Sequence, residues 1–230
     1  LLRALLAGTE IPWYRLFYMY PSGITRELVS LIAEEERILP YLDMPIQHGS
    51  DRILELMRRP ERQATIRERV GWLRDAVPEL TLRTTVIVGF PGETDDDFRD
   101  LLDLLDEVQF ERVGAFTYSL EEGTRAAEFE GMVHADVMTD RMEEVMELQR
   151  GISLDRNLDL VGKTQTVLVD QCVEEDPEYA AVGRTEGQAM DVDGVTHLVT
   201  SRGLKAGDMV RATIVEAHDY DLVAKVVGDA

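Results

Sequence analysis

The 230 residues predict an α/β fold: a partial (β/α) barrel of about four parallel strand–helix units, then a small five-stranded β-barrel. Three observations carry that prediction. Up to about residue 157, short β-branched or aromatic runs alternate with helix-length amphipathic ones, the pattern of a parallel sheet with helical crossovers. Beyond that point, short strand-like runs are separated by Gly- and Asp-rich turns, as in small barrels of the OB kind. Apolar residues make up 44% and charged residues 30%, enough to build a core and too apolar for disorder. The expected domains are therefore 1–157 and 158–230.

The chain opens on an apolar helical stretch, Leu1–Leu6, with no Met, no basic n-region and no cleavage-type site. A signal peptide is not expected, and upstream sequence is expected to be missing. Trp13–Tyr20 reads as a buried strand closed by Pro21-Ser22-Gly23, and Thr25–Arg37 as a helix with Leu28, Leu31 and Ile32 inward. Tyr41–Ile46 reads as a second strand. Gly49 breaks it, and Ser50 is the N-cap of a turn carrying Ile53, Leu54 and Met57. Residues 63–77 place Ile66, Val70, Leu73 and Val77 at helical spacing.

The next unit is the clearest. Leu82–Val88 is a β-branched strand, Gly89-Phe90-Pro91-Gly92-Glu93 a tight turn, and Thr94 caps a helix with Asp97 in the capping-box position. Phe98, Leu101, Leu102, Leu105 and Val108 form that helix's core face. Val113–Tyr118 is a further strand, and Asp136–Asn157 a long helix whose Met138, Met142, Val145 and Met146 pack inward. In the second domain, strands are expected over Val167–Asp170, Tyr179–Gly183, Val195–Thr200, Asp208–Val215 and Asp221–Val227.

Ligands of such sheets bind at the carboxyl ends of the strands. That places Pro21, Gln47-His48, Gly89–Glu93 and Tyr118–Glu122 in one layer. No run is long and apolar enough for a membrane span. Asp and Glu number 45 against 24 Lys and Arg, a formal charge of -21. The second domain is acidic in its own right, with 14 acidic against 6 basic side chains from Asp159 onward. Such a surface repels phosphate backbones and favours a basic protein partner.

Gly89–Glu93 offers close backbone approach and free helix N–H groups, and reads equally as a purely structural turn. It is neither GxGxxG nor a Walker loop, so a dinucleotide or ATP site is not supported. Gln47-His48-Gly49-Ser50 brings amide, imidazole and hydroxyl groups to a second strand end, although a lone histidine usually packs or hydrogen-bonds. His134, His197 and His218 are scattered, and no protein metal site is expected. Cys172, the single cysteine, reads as structural beside an acidic turn. Asp95-Asp96-Asp97 reads as charge at a helix N-terminus. Glu121-Glu122 lies at the end of the last sheet strand, where a solvated loop is the default.

These residues resemble a known family. Leu42–Asp51 with Leu56-Met57-Arg58-Arg59-Pro60, Arg83–Thr94, and Val113–Ser119 with Glu121–Thr124 are similar to successive barrel segments of the radical SAM methylthiotransferases. Val182–Thr185, Asp193–Val195 and Ala217–Leu222 resemble the TRAM domain that ends those enzymes. Within the family, Gln47-His48-Gly49-Ser50 and Glu121-Glu122 resemble the RimO type, which methylthiolates the β-carbon of an aspartate in the small-subunit ribosomal protein numbered twelve. The tRNA-adenosine enzymes tend to carry Gln-Ser-Gly-Ser and an Arg- and Pro-containing loop at these places. Glu186–Met190 departs from the family's usual aromatic or Ala-Pro content.

The resemblance implies S-adenosylmethionine as cofactor and two 4Fe-4S clusters in the full-length protein. One cluster, held by CxxxCxxC, cleaves S-adenosylmethionine reductively to a radical that abstracts hydrogen from the aspartate β-carbon. The other serves sulfur attachment, and a second S-adenosylmethionine supplies the methyl group. None of those cysteines lies in this chain, so it is expected to bind no cluster and to be inactive alone. Carried over by position, Gln47, Arg83, Gly89, Gly92, Glu93, Phe116 and Tyr118 are the cofactor-binding candidates, and His48, Glu121 and Glu122 the substrate-side candidates. The expected partners are a basic ribosomal protein in the cytoplasm and the missing N-terminal part of the chain itself. A membrane is not expected and tRNA is disfavoured. A tRNA-modifying enzyme and a non-catalytic protein-binding fragment are the alternatives.

Overall fold

Strand β3 (Thr81–Val88) sets the organisation of the first unit. Leu82, Thr84, Val86 and Val88 are buried while Thr81, Arg83, Thr85 and Ile87 are half-buried, the alternation a pleated strand imposes. In the computed structural model, which describes residues 1–173 and 178–230, β3 is an inner strand of an all-parallel sheet ordered β1-β2-β3-β4. The other strands are β1 (Tyr14–Leu16), β2 (Ile38–Asp43) and β4 (Arg112–Thr117).

Helices α2 (Arg26–Glu34), α4 (Gln63–Ala76) and α5 (Asp95–Val108) are the crossovers. Their Ile32, Ile66, Leu73 and Leu101 join Leu42, Leu82, Val86 and Val88 in one core on one face of the sheet. Pairing of Asp43 with Arg83, Thr85 with Gly114 and Ile87 with Phe116 sets those residues side by side on the opposite face. Two further helices flank this frame, α1 (Leu2–Gly8) and the short α3 (Asp51–Leu56).

The chain divides into two compact units, Leu1–Gln149 and Arg150–Ala230, within the long helix α6 (Ala135–Leu158). The second unit holds a closed barrel ordered β5-β6-β7-β9-β8. Its strands are β5 (Thr164–Cys172), β6 (Ala181–Thr185), β7 (Thr196–Val199), β8 (Met209–Ala217) and β9 (Leu222–Asp229). Val167, Val169, Leu198, Ile214 and Leu222 fill it, and closure leaves no unpaired sheet edge. Among the described residues no helix is long and apolar enough to cross a membrane.

The sheet and the barrel are as the sequence predicts; several details differ. Only Tyr14–Leu16 of the Trp13–Tyr20 run is strand. Tyr18 turns left-handed at φ 56°, and Phe17, Tyr18 and Tyr20 are exposed, so aromatic content there does not mark burial. The second strand starts and ends three residues before Tyr41–Ile46, since its pairing with β3 ends at Asp43. Helix α2 stops at Glu34, capped at its start by the Thr25 hydroxyl accepting from Leu28 N–H. In α5, Leu104 rather than Leu102 is fully buried. Ser50 holds the N-cap position of α3 without capping it, because its hydroxyl donates to Asp97 instead. The acidic turn expected after Cys172 falls at 174–177, outside the described residues.

Candidate active site

The loop after β2 returns to the sheet at Gln47. Thr84, on the helix-facing side of β3, accepts from Ile46 N–H at 3.1 Å and donates to the Met44 carbonyl at 2.8 Å. Gln47 then pairs with the β3 backbone, donating to Thr85 O and accepting from Ile87 N–H, at a left-handed φ of 70°. Its side chain is thereby set at the carboxyl end of the sheet.

There it meets a pocket of about 540 Å³. Leu56, Met57, Ile87, Phe90, Phe116 and Phe129 make its walls apolar; Gln47, Thr85, Tyr118, Arg58, Arg59 and Arg125 supply polar groups. Pockets of this size and character take small-molecule ligands. Phe90 packs edge-on to both Tyr118 and Phe129, with ring centroids 5.3 and 6.1 Å apart. The Tyr118 hydroxyl is buried without a hydrogen-bond partner among the described residues.

Of the candidates read from sequence, Gln47, Phe116 and Tyr118 line this pocket. Arg83 lies on the same sheet face behind Thr85, with its guanidinium 2.9 Å from Asp43 and 3.2 Å from the Thr85 hydroxyl. Gly89, Gly92 and Glu93 form the turn beneath. A side chain at Gly89, which has φ +76°, would run into Met138 of α6. Gly92 has open space and needs only its φ of +83°.

Glu93 is fully buried and knits the turn from within. One carboxylate oxygen accepts from Gly89 and Phe90 N–H at 2.6 and 3.0 Å, and the other accepts from Arg141 at 2.8 Å. His48 is buried beside it. Its Nδ1 accepts from Ser50 N–H, which sets Nε2 toward Glu93 at 3.6 Å. Glu121 and Glu122 are exposed on the loop after β4 and do not line the pocket.

Below the turn, Asp97 completes the capping box with Thr94 and is bonded by Ser50 and Arg52. Burial pushes its carboxyl up, but the bonds from Arg52, Thr94 and Ser50 outweigh that and hold it well below the usual carboxylate range. Arg52 also donates to the Gly92 carbonyl at 2.6 Å, tying α3 to the same turn.

The sequence reading did not single out Arg58, Arg59, Arg125 or Phe129 as pocket residues. Their loops have no periodic signal, and only the Leu56–Pro60 resemblance pointed near them.

The orphaned Tyr118 hydroxyl, the aromatic wall and the Gln47 amide suit an adenosyl ligand such as S-adenosylmethionine. An iron–sulfur cluster does not fit the residues present. Cys172 sits in the barrel unit, its thiol 3.1 Å from the Leu204 carbonyl, and no group of three or more His, Cys, Asp or Glu among the described residues could hold a metal.

Residues 2–105 match the radical SAM superfamily and residues 161–227 the TRAM domain. Proteins named ribosomal protein uS12 methylthiotransferase RimO are similar throughout: that of Trichlorobacter lovleyi is 44% identical over 99% of this chain, that of Geobacter sulfurreducens 43% over 99%. The Sorangium cellulosum protein is 43% identical over 95% of the chain and 44% of its own length. The chain spans 50% of each of the first two, about half their length. Among solved structures, coproporphyrinogen III oxidase (HemN) of Escherichia coli, a radical SAM enzyme, aligns at TM-score 0.50 with 18% identity. It covers 60% of this chain and 32% of its own, a likeness of fold alone.

Proposed function

We propose that this chain, which belongs to the radical SAM superfamily and carries a TRAM domain after it, is part of a methylthiotransferase acting on ribosomal protein uS12 at an aspartate β-carbon. The observation that carries the reading is the apolar, aromatic pocket at the strand ends, flanked by Gln47 and Tyr118, in a chain so similar to RimO proteins. S-adenosylmethionine bound there would supply the hydrogen-abstracting radical when the clusters are present, and a second S-adenosylmethionine the methyl group.

The chain's own residues bind and orient. Phe116 and Phe90 would give the adenine an apolar wall, Tyr118 would offer it the hydroxyl that has no partner among the described residues, and Gln47 would offer an amide donor and an acceptor. Arg83 supports the pocket floor through Thr85. Glu93 and Gly89 hold the turn in shape. The cluster cysteines lie outside these 230 residues, so the chain alone is inactive. His48, Glu121 and Glu122 remain on the substrate side only through their neighbours in sequence.

The acidic barrel favours a basic protein over tRNA. Of its six cations, Arg184 pairs with Asp170 and Arg202 with Asp229, and the remaining four stand against 14 acidic side chains from Asp159 onward, an unfavourable balance for gripping a phosphate backbone. A ribosomal-protein substrate puts the reaction in the cytoplasm.

The test joins this chain behind the N-terminal half of the Geobacter sulfurreducens relative and assays the hybrid, with reconstituted clusters, by mass spectrometry. A methylthio increment on an aspartate of uS12 is expected. Modification of tRNA instead would move the chain to the nucleic-acid branch, and modification of neither would leave it a binding fragment.

A further inference from the structure

We infer that His48 is a positioning residue of this pocket, acting through Glu93 as a neutral imidazole with its proton on Nε2. The inference rests on the reading of the pocket given above. The His48 side chain is fully buried, next in sequence to the pocket-lining Gln47. Its Nδ1 accepts from Ser50 N–H at 2.9 Å. A ring nitrogen that accepts a hydrogen bond carries no proton, so the imidazole proton sits on Nε2. Nε2 faces one Glu93 oxygen, Oε2, at 3.6 Å and has no hydrogen-bond partner among the described residues.

That oxygen already accepts from Gly89 and Phe90 N–H, which keeps the ring outside hydrogen-bond length. The Nε2–H dipole still faces the carboxylate in a site closed to water, where such an interaction is strengthened. His48 therefore joins two loops that each send a side chain to the pocket. On one side, Gln47 is bonded to the β3 backbone; on the other, Phe90 is held by the Glu93 carboxylate through its own N–H. The loop has little room to shift, since a Cβ at Gly49 would strike the α5 backbone at Leu101 and Ser50 donates to Asp97. A buried polar atom without a bond is a cost that an apolar side chain would avoid. Costs of that kind are kept where shape serves a site. In this role His48 acts through Glu93 and not on the substrate, to which only its sequence neighbours assign it.

Titration calorimetry on the full 230-residue chain tests this with 5′-methylthioadenosine, an adenosyl thioether without the cofactor's amino-acid part. Gln places an amide N–H where Nε2 stands, and Asn places its amide carbonyl where Nδ1 stands. His48→Leu is expected to weaken binding about threefold to tenfold. His48→Gln should recover most of the affinity and His48→Asn should not. Recovery by Asn alone would confine the ring to the Ser50 turn and overturn the inference, as would unchanged affinity in His48→Leu. Should the leucine variant misfold, Gln against Asn still decides. Long-range ¹H–¹⁵N spectra of the parent chain give a second readout. The Nε2–H tautomer is expected, with its resonance moving as ligand is added; the Nδ1–H tautomer overturns the inference. Failure of the parent to bind overturns the reading of the pocket and this role with it, whereas binding that ignores His48 overturns the role alone.

Discussion

Arg141 of α6 donates to Glu93 across 2.8 Å, and both side chains are buried. Since the other Glu93 oxygen accepts two backbone N–H groups of the turn after β3, this pair fastens α6 to the layer that shapes the pocket. Removing the cation leaves a carboxylate buried without its charge partner. Arg141→Met is expected to destabilise the first unit by about 3–5 kcal/mol in urea unfolding. Adding Glu93→Gln should restore part of the loss. A cost under about 1 kcal/mol would mean that the turn is held by other contacts.

The two glycines of that turn are needed for different reasons, and substitution separates them. Gly89→Ala meets Met138 and also pays the left-handed penalty, whereas Gly92→Ala meets open space. We expect Gly92→Ala to cost about 1–2 kcal/mol and Gly89→Ala clearly more. Met138→Ala in the Gly89→Ala background should recover only the steric part. Equal costs at the two positions would remove the packing role assigned to Gly89.

What could be read ahead of the structure follows from where local signals coincide with tertiary demands. In β3, the turn and α5, alternation, two glycines and the Thr94–Asp97 capping box all point the same way, and the structure follows them. Gln47 and Tyr118 were legible because strand ends define the ligand layer in a parallel sheet, and Phe116 only through the family resemblance. Trp13–Tyr20 misled because an edge position pairs only three residues and leaves its aromatics exposed. The arginine rim was illegible for a sharper reason. Its turn carries Arg58 where a glycine would have announced it.

Asp97 gives the first unit an acid sensitivity whose sign is fixed. Its folded carboxyl titrates below the unfolded value, so its stabilisation is complete above the ordinary carboxylate range, begins to fall below about pH 4 and is lost only at far lower pH, as the folded carboxyl itself protonates. Asp97→Asn should cost about 2–3 kcal/mol at neutral pH, from the charged hydrogen bonds of Arg52, Thr94 and Ser50. Unfolding measured from pH 7 down to pH 3 should show the gap between the two curves begin to narrow only at the acid end, with most of it still present at pH 3. A gap that stays constant would show that the carboxylate charge contributes nothing.

Cys172 bears on iron. One thiol cannot supply the three or four thiolates a 4Fe-4S cluster requires, and this one sits beside a carbonyl. Anaerobic reconstitution with iron and sulfide, followed by desalting, is expected to leave the chain free of iron. Retention of about four irons per chain would require ligands of another kind among these residues.

The Tyr118 hydroxyl provides the most selective probe of the pocket. In the free chain it is buried with no partner among the described residues, so deleting it removes an unsatisfied group. Tyr118→Phe should therefore keep its stability or gain a few tenths of a kcal/mol. A ligand that completes the bond would lose it in the variant, and the affinity for 5′-methylthioadenosine should fall about fivefold to tenfold. Phe116→Ala, on a side chain already 58% exposed, should weaken the same ligand without a comparable loss of stability. Full affinity in both variants would place the adenosyl group elsewhere than against this wall.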